Sequence, residues 1–522
     1  MAYIQSYKYQ AWLLPPSIEE LIPEDHICFL VEALVDSMDF EAFDLKYAGA
    51  GHPAYHPRVL LKILVMGVMD RVRSSRRLAK NARENVVYMY LSEKLAPDFR
   101  TISDFRKDNP EVVKKAFRHT VELGKQEGLL DLSHLSTDGS KIKANASNRR
   151  VLTGEEQAFL LRFVDEELEE WAKQDTEEDD IFSELRGFDQ LPGKSKKAIQ
   201  KAAQYYVRRL RESGSVFKEE IKDKLEQAQV ELRESGSRQT SVTDPGSRFM
   251  KNGKGKIELS YNAQITVDNG GFIVSNDVCQ DATDTKQLEP QVLQVEENVR
   301  GLPAGVAWSF DAGYFGGANI KFLSDKKIDG YIPENKNRSV DPYDKSGFSY
   351  DAEKDEYLCP GKKRLRFLGE HFDKQKDKTI RVYKGERCVG CKVQSKCTRK
   401  KDGIRYMKDF PYEAQRNTMR EKMKTPRAKE LYALRSRTVE PVFGDIKENN
   451  GLRSFLTRGL QRVKVEFNLA CIASNLKKIK EFLEESDRKA PLLERSKWKS
   501  NKIGTKAELQ VVPCPIRGRV IS

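Results

Sequence analysis

Three acidic residues in this chain stand where a carboxylate could do chemistry. Asp138 and Asp311 each close a strand-like run, LSTD and GVAWSFD, and each is followed by a small residue able to turn the chain. Glu440 lies in a helical stretch, ALRSRTVEPVFGDIKENNGL. There Arg437 stands three residues before it and Lys447 seven after, which puts all three on one helix face while Val439, Phe443 and Ile446 pack the other. Three such carboxylates could hold two Mg²⁺ or Mn²⁺ ions, hard cations that take oxygen ligands. Paired ions would activate a water or a 3′-hydroxyl and stabilise the departing oxygen in an in-line displacement at phosphorus. Arg437 and Lys447 would grip neighbouring phosphates. Taken singly, a strand-end Asp is more often a turn former and a helical Glu near Lys a surface pair; only the set carries weight.

A second group of reactive residues lies between Asp311 and Glu440. Cys359 is followed by Cys388, Cys391 and Cys397, a CxxC with two outlying cysteines. Four thiolates suit a closed tetrahedral structural Zn²⁺ site; the alternative is four reduced thiols. No strand–helix context of a redox CxxC surrounds them. Cys28, Cys279, Cys471 and Cys514 are scattered, and His52, His56, His119 and His134 lack ligand spacing. Those histidines read as structural or surface residues.

The elements that must position these groups follow from periodicity. Residues 25–125 read as short helices: Ile27, Leu30, Val31, Leu34 and Val35 recur at helical spacing, and Pro57 opens PRVLLKILVMGVMDRV. Arg71, Arg73, Arg76 and Arg77 cluster at a polar turn, as in a helix-turn-helix reader or on the solvated face of a bundle. A strand is expected to end at Asp138 with Gly139 turning the chain. Residues 154–235 are a charged helical excursion, acidic then basic about Leu191-Pro192-Gly193, which suggests an antiparallel helical hairpin or a partly disordered insert. IELSYNAQITVD and GFIVSNDVC form a hairpin through Asn269-Gly270-Gly271. A helix, the strand ending at Asp311, a further helix and a strand at Gly330–Pro333 complete a mixed α/β sheet, whose functional groups gather at strand ends. The Cys-rich segment is strongly basic, with interleaved aromatics, and the last helices, from Leu460 to Phe482, close the core.

The 522 residues require more than one structural unit. Lys and Arg number 92 against 79 Asp and Glu, a net charge of +13, which favours a polyanionic partner. The first residues do not read as a signal peptide, and the apolar run Val59–Met69 contains Lys62 and is too short to span a bilayer. A cytoplasmic protein without membrane association is expected.

Longer blocks carry a resemblance. GHPAYHPRVLLKILVMGVMDRVRSSRRL, TISDFR, LSTDGSKIKANAS, TDPGSRFM, SYNAQITVD, SFDAGYFGGANI and RTVEPVFGDIKENNGLRSFLTRGLQRVKVEFNLACIASNLKK resemble, in this order, the DDE transposases of bacterial insertion sequences. The likeness is to the insertion-sequence 4/5 superfamily, nearest to the insertion-sequence 1182 family, and it covers roughly residues 10–485. It implies a ribonuclease-H-like core in which Asp138, Asp311 and Glu440 match the first, second and third metal-binding acids. Tyr432, Arg435, Glu440 and Lys447 resemble the superfamily's signature, but the Arg-to-Glu interval is one residue too long. Arg437 therefore ranks ahead of Arg435 for a phosphate contact.

The resemblance implies cleavage at transposon ends and transfer of the freed 3′-hydroxyl to target DNA. The partners would be double-stranded DNA, as terminal inverted repeats and target, bound by a dimer. Competing readings are a DNA-binding protein retained without catalysis and a metal-dependent nuclease that does not join. The expected division is an N-terminal helical DNA-binding region (1–130), core segments (131–153 and 236–345), the charged helical insertion (154–235), the basic Cys-rich β insertion (346–410), C-terminal catalytic helices (411–485) and a flexible basic tail (486–522).

Overall fold

The computed structural model describes residues 17–41, 43, 54–147, 150–173, 187–214, 216–334, 343, 345–351, 353–373, 378–386, 388–409 and 411–489. Among the described residues, six α-helices precede the first strand: α1 (Cys28–Asp36), α2 (Pro57–Met69), α3 (Ser75–Glu84), α4 (Val86–Leu91), α5 (Phe99–Asp108) and α6 (Pro110–Gln126). Their starts are written in the sequence. Pro57 opens α2 while the His56 ring nitrogen accepts from the Arg58 amide at 3.1 Å, and Asn85 and Asp98 cap α4 and α5 through their side-chain oxygens.

A six-stranded mixed sheet follows. It contains β1 (His134–Lys143), β4 (Arg248–Lys251), β5 (Ile257–Val267), β6 (Ile273–Cys279), β7 (Ala307–Phe310) and β8 (Asp329–Tyr331). The central strand β1 pairs antiparallel with β5 on one side and parallel with β7 on the other. Beyond β7 lies parallel β8, while β6 and β4 take successive stretches of β5. Helices α11 (Leu288–Val299) and α12 (Gly317–Asp325) make the crossovers to β7 and β8.

β1 does not stop at Asp138 as its turn-like sequence leads one to expect; it runs on to Lys143, paired with β5 throughout. Gly139 is used for close approach, not for turning. A Cβ there would collide with the side chains of Gln264 and Asp284.

Residues 154–235 hold four described helices, not the two of a simple hairpin: α7 (Gly154–Glu166), α8 (Leu168–Lys173), α9 (Gly193–Ser213) and α10 (Val216–Ser235). They are rooted on a short two-stranded ribbon, β2 (Val151–Thr153) with β3 (Gln239–Ser241), and α7 starts with a Thr153–Glu156 capping box. Their apolar sides bury Leu160, Phe163, Ile199, Leu225 and others in a core of their own. Charge therefore marked the solvent face of a packed unit. The acidic run Glu177 to Asp180 falls outside the described residues.

A second, five-stranded antiparallel sheet consists of β9 (Ser349–Asp351), β10 (Glu356–Leu358), β11 (Arg364–Asp373), β12 (Lys378–Gly385) and β13 (Tyr406–Asp409), in the order β13-β12-β11-β10-β9. After the short α13 (Gln394–Cys397) come α14 (Glu413–Lys422), α15 (Pro426–Ala433), α16 (Val439–Glu448) and the long α17 (Leu460–Lys489). The basic tail expected over 486–522 lies outside the described residues beyond Lys489.

The N-terminal helices are not a detached module. They share one apolar core with the main sheet, α16 and α17. Asn475 of α17 exchanges two 2.9 Å hydrogen bonds with the Ile273 backbone of β6 and donates to Thr120 of α6 at 3.0 Å. Two of the clustered arginines serve this junction. Arg71 donates to the Asn449 carbonyl at 2.7 Å, and Arg73 donates to the Ser454 carbonyl at 2.9 Å and pairs with Glu466 at 3.0 Å. Arg76 and Arg77 stay exposed. None of the described helices is long and apolar enough to cross a membrane.

Glu466 is buried and also accepts from the Leu456 and Thr457 amides and the Thr457 hydroxyl. Glu466→Ala strands all these donors and is expected to lower stability by about 3 kcal/mol. The readout is a lower urea midpoint; an unchanged midpoint would mean that this junction does not hold the N-terminal helices.

Candidate active site at the ends of the central strands

The parallel pairing of β1 with β7 sets two of the three acids side by side. Thr137 is level with Phe310, so the residues that follow, Asp138 within β1 and Asp311 just past the end of β7, are neighbours. Side chains alternate along β1, and the face carrying Asp138 meets the segment that follows β13. His134 Nε2 lies 2.9 Å from Ser309 Oγ, whose hydroxyl donates to the Leu431 carbonyl at 3.2 Å. Thr438 Oγ1 donates to Ser136 Oγ at 2.9 Å, Arg435 pairs with Asp138 at 3.1 Å, and Lys447 donates to Ser140 Oγ at 2.5 Å. Three alternate residues of one strand thus contact the stretch 431–447 directly, and His134 reaches it through Ser309.

That stretch is not one helix. α15 ends at Ala433, a 3₁₀ turn covers Leu434–Ser436, and α16 restarts after Thr438. Helical spacing across residues 437–440 therefore fails. Arg437, which the spacing placed beside Glu440, is exposed, and its side chain makes no hydrogen bond or ion pair with the described residues. Arg435 is the inward cation: only 4% exposed, it also donates to the Thr137 carbonyl at 2.5 Å. Within α16, Glu440 and Lys447 keep their two-turn relation, Glu440 exposed in the first turn and Lys447 half-buried in the last.

Tyr432 lies under the Arg435 guanidinium at 5.6 Å and feels the charge of all three acids. Burial raises the Tyr432 phenol first, Arg435 opposes that rise, and the carboxylates of Asp311, Asp138 and Glu440 each add to it. Asp138 Oδ1 accepts from Arg435 and from the Gly139 amide at 2.9 Å, while Oδ2 accepts no hydrogen bond from the described residues. Burial chiefly pushes its carboxyl up, helped by the Asp311 charge and opposed by Arg435, to about 6. The side chains of Asp311 and Glu440 likewise have no hydrogen-bond partner among the described residues. Carboxylate oxygens left unpaired close to one another suit a hard divalent cation. Among the described residues, no three His, Cys, Asp or Glu side chains are already gathered tightly enough to enclose an ion.

One carboxylate beside the site has no counterpart in the sequence reading. Asp284 accepts from Lys141 at 3.0 Å, Asn262 at 2.7 Å and Gln264 at 2.8 Å on the other face of β1. It packs against Gly139 and Gly313, where added Cβ atoms would strike it. It thereby braces the strand β1 beside Asp138 and the turn after Asp311. The signal available for it was the pair of small residues following each acid, which leave room for this side chain.

The Cys-rich sheet brings Cys359, Cys388, Cys391 and Cys397 around one small cavity. All four are free thiols. Among the aromatics of that sheet, Phe348 and Tyr383 are buried in its own core, whereas Phe367 is exposed.

Residues 358–480 match the family model described as Transposase DDE domain, and residues 16–108 match that described as Transposase domain (DUF772). The two matches support a DDE transposase. The first range contains Arg435, Glu440, Lys447 and the four clustered cysteines; Asp138 and Asp311 lie outside both ranges. No curated protein matches the chain.

The buried His134 ring offers a pH test of this packing. With Ser309 donating to Leu431, the ring donates through Nε2 and leaves Nδ1 unpartnered, the neutral form. Burial first, and Arg435 second, push its pKa down to about 4. Because the folded value is depressed, the neutral ring's contribution is fully present above the ordinary histidine value of about 6.5. It is lost as pH falls through about 4. His134→Gln should therefore lose less melting temperature than the parent between about pH 7 and about pH 4. Equal losses would show that His134 is charged or solvated in the fold.

Proposed function

We propose that this chain is a transposase that cleaves DNA at transposon ends and joins the freed 3′-hydroxyl to target DNA, using Asp138, Asp311 and Glu440. The observation that carries the reading is the strand register that sets Asp138 beside Asp311, with Arg435 and Lys447 from either side of Glu440 bonded to Asp138 and Ser140, in a chain with two transposase-family matches. The strand order supports a ribonuclease-H-like core. Two antiparallel neighbours, β5 and β6, lie on one side of β1 and two parallel strands, β7 and β8, on the other. The insertion-sequence 4/5 superfamily and its 1182 family remain the closest likeness read from the sequence blocks.

Asp138 through Oδ2, Asp311 and Glu440 would hold two Mg²⁺ or Mn²⁺ ions. Bound there, such ions supply activation of the attacking hydroxyl and stabilisation of the leaving oxygen. The chain's own groups do the rest. Arg435 holds Asp138 by Oδ1 and so turns its other oxygen outward. Lys447 donates to Ser140 beside Asp138, and its Nζ is placed to take a phosphate oxygen when DNA arrives. Exposed Arg437 is free to contact the backbone further along. The division of labour follows the expected segments. α3 presents exposed Arg76, Arg77, Lys80 and Arg83 opposite its buried Leu78, Ala79 and Ala82, a face suited to duplex DNA. The basic β insertion adds phosphate contacts with steep salt dependence. Two ends must be held together, so the working form is a dimer on DNA in the cytoplasm.

The test is a cleavage and strand-transfer assay with purified protein, Mg²⁺ and duplexes bearing the terminal repeats. Asp138→Ala, Asp311→Ala and Glu440→Ala should each lower both reactions by at least about 100-fold, and Arg435→Ala by a similar factor. Arg437→Ala should cost less than about 10-fold and act on DNA affinity. Full activity in the three acid variants would sink the reading, cleavage without joining would reduce it to a nuclease, and binding alone would leave a DNA-binding protein.

A further inference from the structure

Among the described residues, the sheet β9–β13 has one small apolar cluster of five buried side chains, Phe348, Tyr357, Leu365, Tyr383 and Met407, with Ile380 buried outside it. A core that small seldom holds five strands by burial alone, and small folds commonly add a disulfide or a metal. Cys359 and Cys397 pack against this core from the side.

The backbone around the cysteines is built as two tight corners facing each other. Cys359 leaves β10 and enters a turn closed by the Lys362 amide on the Cys359 carbonyl at 2.7 Å, and by the Cys359 amide on the Lys363 carbonyl at 2.9 Å. Lys362 takes positive φ, and the Lys363 amide donates to Cys359 Sγ at 3.3 Å. Cys388 follows the end of β12. Its chain turns back through Gly390, at φ +75°, with the Cys391 amide on the Cys388 carbonyl at 3.1 Å. Gly385 lets the Cys388 sulfur lie against the backbone of β12, since a Cβ there would overlap it. The short α13 then carries Cys397 back to the same point.

All four cysteines line one cavity of about 40 Å³ together with Phe348, Leu365 and Arg405. Burial raises the Cys397 thiol, Arg405 opposes this, and the thiols of Cys388, Cys359 and Cys391 raise it further. The four sulfurs are thus within electrostatic range of one another. They ring the cavity without being drawn onto one centre, as no ready cluster is formed among the described residues.

We propose that Cys359, Cys388, Cys391 and Cys397 bind one Zn²⁺ that staples β10 and β12 to the 388–397 turn and holds the basic insertion in shape. A spacing of three residues within a turn, plus two ligands from separate elements, suits a closed tetrahedral site with no open position, hence structural rather than catalytic. The sulfurs reach the ion by side-chain rotation into the cavity. Each thiol gives its proton to solvent on binding, and the nearby Arg405, Lys363 and Arg364 offset the resulting negative charge. The site is separate from the carboxylates, so its test needs no DNA and does not depend on the proposed reaction.

The experiment measures metal in the full chain purified without chelator. About one zinc per chain is expected, together with slow reaction of four thiols until zinc is removed. Cys388→Ser with Cys391→Ser should lose the zinc, whereas Cys471→Ser, at a buried cysteine of α17 outside the cluster, should keep it. Should the double variant fail to fold, cobalt substitution in the parent decides. Thiolate-to-cobalt charge-transfer bands with tetrahedral d–d intensity support four-sulfur ligation, and a spectrum without them overturns it. Fewer than about 0.1 zinc per chain, with the four thiols reacting freely or paired as disulfides, would likewise overturn the proposal.

Discussion

Alternation along a single strand is what the candidate site depends on. His134, Ser136, Asp138 and Ser140 all point from one face of β1, and the segment 431–447 bonds to each of them or to its neighbour. The opposite face carries Thr137, which takes the Trp308 indole at 2.8 Å, and Lys141, which pairs with Asp284. A strand polar on both faces survives in the interior because each polar group finds a partner. Slipping its register by one residue would turn Asp138 away from Arg435 and strand every one of those groups.

Electrostatics then explain why Arg435 is held so deeply. Two carboxylates on adjacent strands repel, and burial penalises the Asp138 charge. A buried guanidinium on one oxygen of Asp138 offsets part of that cost without consuming the second oxygen. At the proposed site a divalent ion would neutralise the remaining negative potential, and it would compete with the proton for Asp138 below about pH 6. Asp284 works from beneath, anchored by three donors, and packs against both Gly139 in β1 and Gly313 in the turn after Asp311.

The mixed α/β plan was legible because its strands are apolar runs bounded by strong turn signals, such as Asn269-Gly270-Gly271. Glu440 and Lys447 kept their relation because both lie inside one regular helix. Arg437 was favoured over Arg435 because helical spacing was carried across a 3₁₀ turn that local sequence does not announce. Gly139 looked like a turn because its real cause, the side chains of Asp284 and Gln264, lies more than a hundred residues away. Likewise Arg71 and Arg73 read as part of a DNA-facing cluster, since nothing local reveals that Asn449, Ser454 and Glu466 claim them. Residue types were readable from the chain; which long-range partner each would meet was not.

The central claim is that Asp138, Asp311 and Glu440 form one cation site, and direct binding of Mn²⁺ tests it without requiring turnover. Titrations followed by electron paramagnetic resonance, on the parent and on Asp138→Asn, Asp311→Asn and Glu440→Gln, would compare the affinities. Each single variant is expected to weaken Mn²⁺ binding by about tenfold or more, with folding unchanged. Wild-type affinity in all three variants would contradict a shared site.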